Sequence, residues 1–272
     1  MINVIKMEFY LTIKNRIWWI LALVAACFTI FFTAMINYSP DAMISSPGDL
    51  DITEISATEV IDKDLSLAGY CEKIICSDIV LMFVTIFASL LALQEYNNGF
   101  VKNIWVHLGK KWHLFIAKVL VLMSYVLFFF FFLNIMVLNI CNILLLKAEK
   151  MGITKKFLKI MAIQYFFEVV FGIIIITFAL FLKKIIPTLV TGIIYVAFGH
   201  SLLCGVLDLI IDKIFKLDKA FKIENYTIYG NILRITSYAE REAIIQAVIV
   251  TIVFAGISSI ICNLCLEKRN VL

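Results

Sequence analysis

Two ionisable side chains interrupt runs that are otherwise apolar. Glu168 stands in "QYFFEVVFG", and His200 follows "IIYVAFG". If these runs cross a bilayer, a charge at its centre costs about 2.5–3.5 kcal/mol on insertion scales, so each residue must face the bundle interior or water. Two chemistries fit. One is a substrate or proton path. The other is an interhelical hydrogen bond, from Glu168 to Gln164 or to a Tyr or Asn of a neighbouring span. Catalytic patterns are missing. The chain has no GxxxxGK[ST] phosphate loop, no GxSxG and no HExxH, and His107, His113 and His200 are scattered. The sequence therefore points away from an enzyme.

The elements that must position these groups are read from composition. Of 272 residues, 62% are hydrophobic and 16% charged, with a mean hydropathy of +0.99. A soluble domain carries roughly 25% charge. This chain cannot cover itself with polar groups and must use lipid as part of its solvent. Three prolines and eleven glycines leave room for long helices. Alternating barrel-type strands are absent. The class expected is an all-α polytopic membrane protein, in one domain over 1–272. Five of the seven cysteines lie in apolar runs as small hydrophobes. Cys71 and Cys76 flank a span and could pair, but spacing alone does not decide it.

A span needs about 20 apolar residues. Six are read: 17–37, 78–94, 113–146, 158–182, 185–207 and 243–266. The third is too long for an upright helix, so it tilts or runs past the surface. Ahead of the first, Ile2, Ile5, Phe9 and Ile13 share one face of a helix, with Lys6, Glu8 and Lys14 off it. That predicts an interfacial helix, ended by the tandem Trp18-Trp19. With the amino terminus cytoplasmic, segments 1–16, 95–112, 183–184 and 267–272 hold ten Lys/Arg and three acids. The outer loop 38–77 then holds two Lys and eight acids, as the positive-inside rule expects. The Lys-rich 147–159 segment runs against the rule. In the outer loop 208–242, Leu207, Ile210, Ile211, Ile214, Phe215, Leu217 and Phe221 recur at helical spacing, which predicts an amphipathic helix on the outer leaflet before the last span.

Between the second and third spans lies "LQEYNNGFVKNIW". Asn97, Asn98 and Gly99 tolerate a turn. Phe100, Val101, Ile104 and Trp105 then form one apolar face of a short helix, with Lys102 and Asn103 opposite. Such a knob on the cytoplasmic surface can dock a soluble partner. Glu95, Gly99, Lys102-Asn103-Ile104, Lys110-Lys111 and Lys118 in "FIAKVL" together resemble the pattern of ABC-2 type transporter permeases. An interfacial first helix, six spans and a large first outer loop agree with that family. Trp112-His113 stands where the family often has an Arg before the Lys of the third span.

The resemblance implies a permease subunit without catalytic residues, cofactor or metal of its own. ATP and Mg would be bound by a separate cytoplasmic ABC ATPase, in two copies, beside a second permease chain, identical or paralogous. Glu95, Gly99, Phe100, Lys102, Ile104 and Trp105 would couple to that ATPase through segment 95–112. Aromatic anchors dominate such docking. Lys118 would meet an acid or a lipid phosphate at the membrane interface. The substrate implied is an amphipathic antimicrobial or toxic peptide, as in lantibiotic-immunity and modulin exporters, with Glu168 and His200 as candidates for its path. Nucleic acid is not expected as a partner. The location implied is a bacterial plasma membrane, with both termini cytoplasmic. Two other readings stay open: a non-transporting scaffold or sensor, and a proton-coupled secondary transporter using Glu168.

Overall fold

In a computed structural model the described residues are 2–38, 71–72, 74–97, 112–130, 135–141, 155–215, 222–236 and 239–267. Among them every regular element is helical. The long helices are α1 (Ile2–Lys14), α2 (Arg16–Tyr38), α3 (Asp78–Asn97), α4 (Trp112–Leu127, widened into a π turn through Phe130), α6 (Lys155–Leu182) and α10 (Arg241–Glu267). A short α5 (Ile135–Cys141) follows α4. Between α6 and α10 come α7 (Ile185–Ile194), a π turn (Tyr195–Gly199), α8 (His200–Phe215), a 3-10 turn (Ile223–Tyr226) and α9 (Ile228–Arg234).

Four stretches are long and apolar enough to cross a membrane: Trp112–Phe130, Lys155–Leu182, Ile185–Ile211 and Arg241–Leu266. A fifth arises if α1 and α2, bent by 59°, count as one broken span. The apolar stretch of α3, Asp78–Gln94, is shorter. α6 is the central post. Buried residues make up 67% of its apolar stretch, against 17% in each of the last two spans. It packs against α3, α4, α7, α9 and α10. The outward sides of α7, α8 and α10 carry exposed Ile186, Leu202, Leu209, Ile252 and Ile260. Apolar surface of this kind on helices long enough to span a bilayer is consistent with a membrane protein.

Close packing depends on small residues where helices cross. On α7, Thr188 and Gly192 turn inward one turn apart, and a methyl added at Gly192 would lie 2.5 Å from Thr85 Cγ2 on α3. An aromatic column ties α2, α3 and α4: Trp18 on Phe87 with centroids 4.4 Å apart, Phe87 stacked on Tyr125 at 3.4 Å, and Tyr125 on Phe129 at 5.8 Å. α6 and α7 form a hairpin turned by two residues. Lys183 adopts φ 59° there, and its N–H closes on Ala179 O at 2.9 Å.

Within the run 113–146 the described residues form α4, which widens into a π turn at 128–130, and α5, which packs on α2. Two sequence expectations are corrected. The expected outer amphipathic helix is not a separate element in its described part. Residues 185–215 run on through the π turn, so Leu207, Ile210 and Ile214 lie on the exposed side of α8. The element ahead of the last span is α9, and it is buried. In α1, Ile2 and Ile13 of the apolar stripe are exposed, Phe9 packs against the core, and Glu8 and Thr12 are buried against the bundle. Finally, Trp18 does not rest at an interface beside Trp19. It enters the core, and Trp19 stays exposed with its Nε1–H donating to Ile13 O at 2.9 Å.

Candidate functional site

Polar side chains gather at two stations, one at each end of α3. The first joins α1, α3 and α4. Asn15 ends α1, and its Oδ1 accepts from Ile17 N at 3.1 Å, which caps α2 and fixes the elbow. The elbow lays α1 against α4. Lys118, set among apolar residues in "FIAKVL", is 1% exposed. Its Nζ donates to Leu91 O of α3 at 2.7 Å and lies 3.5 Å from Glu8 Oε1, itself fully buried. Lys118 therefore meets an acid from within its own chain. Two buried charges of opposite sign attract strongly, but each has lost its water, so the pair binds three helices into one register more than it adds net stability.

The second station lies at the other end, where residues 222–236 fold back over the bundle as a cap. Thr227 starts α9: its Oγ1 accepts from Gly230 N at 3.1 Å. The same hydroxyl donates to Glu224 O at 2.8 Å. It lies 2.9 Å from His200 Nε2. Since its proton is committed to Glu224, the network assigns the N–H to His200 Nε2. His200 Nδ1 then has no hydrogen-bond partner. Tyr229 drops from α9 between the spans. Its hydroxyl donates to Asp78 at the start of α3 and lies 2.8 Å from Val196 O. That carbonyl is offered by the π turn, where the i→i−4 ladder is interrupted. Burial first, then the hydrogen bond to Asp78, raises the Tyr229 hydroxyl well above its ordinary pKa. Asp208 Oδ1 accepts from Ile223 N at 2.9 Å and ties the cap to α8.

Beneath the cap sits Gln164 of α6, fully buried. Its Nε2 donates to Ile232 O at 2.9 Å and Ile235 O at 2.7 Å, and lies 3.2 Å from Cys76 Sγ. Cys71 and Cys76, whose pairing the sequence left open, are free thiols. Burial pushes Cys71 up to about 12. The Cys76 thiol is raised further, by burial first and then by the Glu72 and Glu168 carboxyls nearby. Both are thereby inert as nucleophiles. Glu168, one turn beyond Gln164, is fully buried.

Of the expected site residues, Lys118 lies in the first station and His200 in the second, where Thr227 meets it; Glu168 lies one turn beyond Gln164, beneath the cap. Glu95 is in the last turn of α3. Gly99, Phe100, Lys102, Ile104 and Trp105 lie outside the described residues, as do most of loop 38–77 and residues 142–154. Sequence reasoning missed Glu8, Asp78, Cys76, Thr227, Tyr229 and Asn231. The cap had one local signal, Thr227 three residues before Gly230 in "YTIYGN", a helix-start pattern. Among the described residues no three His, Cys, Asp or Glu side chains converge as a metal site. Comparison with protein-family models and with curated proteins finds no match to this chain.

Proposed function

We propose that this chain is the permease subunit of an ATP-driven ABC-2 type exporter. It moves an amphipathic substrate, an antimicrobial or toxic peptide, out of the membrane or the cell. A separate cytoplasmic ATPase, in two copies, hydrolyses ATP with Mg, and a second permease chain completes the pathway. In this reading α2 and α3 join the four long apolar stretches to make six crossings. Both termini are cytoplasmic, in a cell membrane.

One observation carries the reading. The segment 95–112, with Glu95, Gly99, Phe100, Lys102, Ile104 and Trp105, connects α3 to α4, and the Glu8–Lys118–Leu91 junction clamps those helices and α1 together just beyond it. A soluble partner pressing on this segment would move three helices as one body. An isolated interfacial turn would need no such clamp. The exposed apolar faces of α7, α8 and α10 offer a lipid-side route for a membrane-partitioned peptide.

The test is purification of the chain in mild detergent from its native cells, followed by mass spectrometry and an ATP hydrolysis assay. A stoichiometric ATPase stimulated by added amphipathic peptide is the expected result. Trp105→Ala is expected to weaken ATPase retention while leaving the permease folded. Recovery of the chain without an ATPase would overturn the exporter reading, and undiminished binding by Trp105→Ala would overturn the placement of the coupling segment.

A further inference from the structure

Glu168 is the polar side chain that neither helix packing nor the cap accounts for. It is fully buried midway along α6, and neither carboxyl oxygen meets a hydrogen-bond donor. No Lys or Arg among the described residues pairs with it. One turn earlier, Gln164 Oε1 is equally buried and equally without a donor. Three buried acceptor oxygens thus stand within one turn of one helix face. Native proteins satisfy nearly all buried polar groups, because each orphan forfeits the hydration it had.

The chemistry that balances this site is a proton. Side chains four residues apart on a helix meet across about 5–6 Å between Cβ atoms. An ionised Glu168 can only accept, and so can Gln164 Oε1, whose Nε2 is already spent on Ile232 O and Ile235 O. A neutral carboxyl is a donor as well. Its O–H can bond Gln164 Oε1 and satisfy one oxygen of each group. The alternative cations are engaged elsewhere or distant. From the elements packed on α6, the titratable groups turned inward are Asp78 on α3, Lys118 and Tyr125 on α4, Tyr229 on α9 and Cys262 on α10, with Cys76 and Glu72 just ahead of α3. α7 turns in Thr188 and Gly192. Asp78 is held by Tyr229, and Lys118 by Glu8 and Leu91.

We propose that Glu168 and Gln164 form a proton-binding site, a neutral carboxyl–carboxamide pair, and that its occupancy seats the cap helix α9 on the bundle. The link is Gln164, whose nitrogen holds the cap's carbonyls and whose oxygen is left to accept from the carboxyl one turn on. Loss of the proton leaves a carboxylate that must take up water. Water reaches it by lifting the cap off Gln164, and the released proton passes to that water. Asn231 of α9, 1% exposed with Nδ2 lacking a partner, is a donor ready to meet entering water or the carboxylate. The proposal does not depend on the exporter reading, because no ATPase enters it.

The experiment uses the full chain in lipid nanodiscs without any ATPase. Infrared spectroscopy reads the C=O stretch of a protonated carboxyl near neutral pH, and hydrogen exchange reads the backbone of residues 228–235. In wild type the band is expected to be present and to vanish in Glu168→Gln. As pH rises the wild-type band bleaches, and over the same range cap exchange, corrected for intrinsic base catalysis, becomes about tenfold faster, an opening cheaper by about 1.4 kcal/mol. Glu168→Gln keeps the cap slow throughout. Absence of a Glu168-dependent band at neutral pH overturns the proton site. A band with cap exchange that follows the same course in both proteins overturns the coupling. Should the variant not fold, isotope labelling of glutamate carboxyls in wild type tells whether the band belongs to a glutamate, and its bleaching over the range in which the cap opens ties it to the cap; an unshifted band, none, or one that bleaches apart from cap opening overturns the proposal.

Discussion

Replacing Lys118 by Met tests the clamp most directly, because Met keeps the length of the stem and removes only the charge. In the folded protein Nζ makes a 2.7 Å bond to Leu91 O and a 3.5 Å contact with Glu8 Oε1. Taking one partner from a buried ion pair costs about 3–5 kcal/mol, because the other charge stays behind without water. The bond to the Leu91 carbonyl, about 1.5–3 kcal/mol for a charged donor, falls within that figure and is not added to it. The loss has a ceiling. α1 is attached through a partly exposed face, so it can peel away and rehydrate Glu8 at the cost of its own docking. Lys118→Met should therefore lower stability by about 3 kcal/mol or by the docking energy of α1, whichever is smaller. Unfolding in mixed micelles titrated with a denaturing detergent measures the first, and hydrogen exchange of residues 2–14 detects the second. Glu8→Gln combined with Lys118→Met should recover to within about 1 kcal/mol of wild type, since removing both charges removes the desolvation cost as well. A single variant that matches wild type in both assays, or a double variant as weak as the two singles together, would refute the clamp.

Two further outcomes follow from packing. Gly192→Ala should cost about 1–3 kcal/mol, as the new Cβ would lie 2.5 Å from Thr85 Cγ2 between two helix backbones. Thr85→Ser removes that methyl, keeps a hydroxyl for the Leu81 carbonyl, and should restore most of the loss in the double variant. At the α6–α7 hairpin, Lys183 sits at φ 59°, so Lys183→Gly should gain about 0.5–1 kcal/mol while Lys183→Val loses at least as much. A hairpin indifferent to both changes, in the same detergent titration, would show that its backbone angle carries no strain.

Long apolar runs were enough to find α6 and α10 within a few residues, since a span of that length has no soluble alternative. In α1, Ile2 and Ile13 of the apolar stripe are exposed, while the face buried in the bundle also bears Glu8 and Thr12. A lone acid opposite an apolar stripe, with a lysine deep in a later span, is the signal that could have joined Glu8 to Lys118. Glu168 was visible because a charge amid Phe and Val is conspicuous. Its surroundings were not, because Gln164 reaches carbonyls nearly 70 residues away, at Ile232 and Ile235, and Tyr229 reaches Asp78 across an even longer separation. Short polar segments such as 222–236 carry no periodicity from which such pairings could be read.

The two stations are not independent, because α3 belongs to both. Its Asp78 takes the Tyr229 hydroxyl of the cap, and its Leu91 carbonyl takes Lys118, about 20 Å away along the axis at 1.5 Å per residue. A helix packed on several sides moves as a rod. Any slide of α3 past α6 therefore alters the bond at each end together. The ends differ in what such a slide would cost. At the clamp, separation strands buried charges. At the cap, α9 is seven residues long, too short to hold helical form without its tertiary contacts. Its seat rests on the buried Ile228 and Ile232 and on the bonds of Tyr229, Thr227 and Gln164. Strain applied near segment 95–112 is therefore expected to be released at the cap before it breaks the clamp.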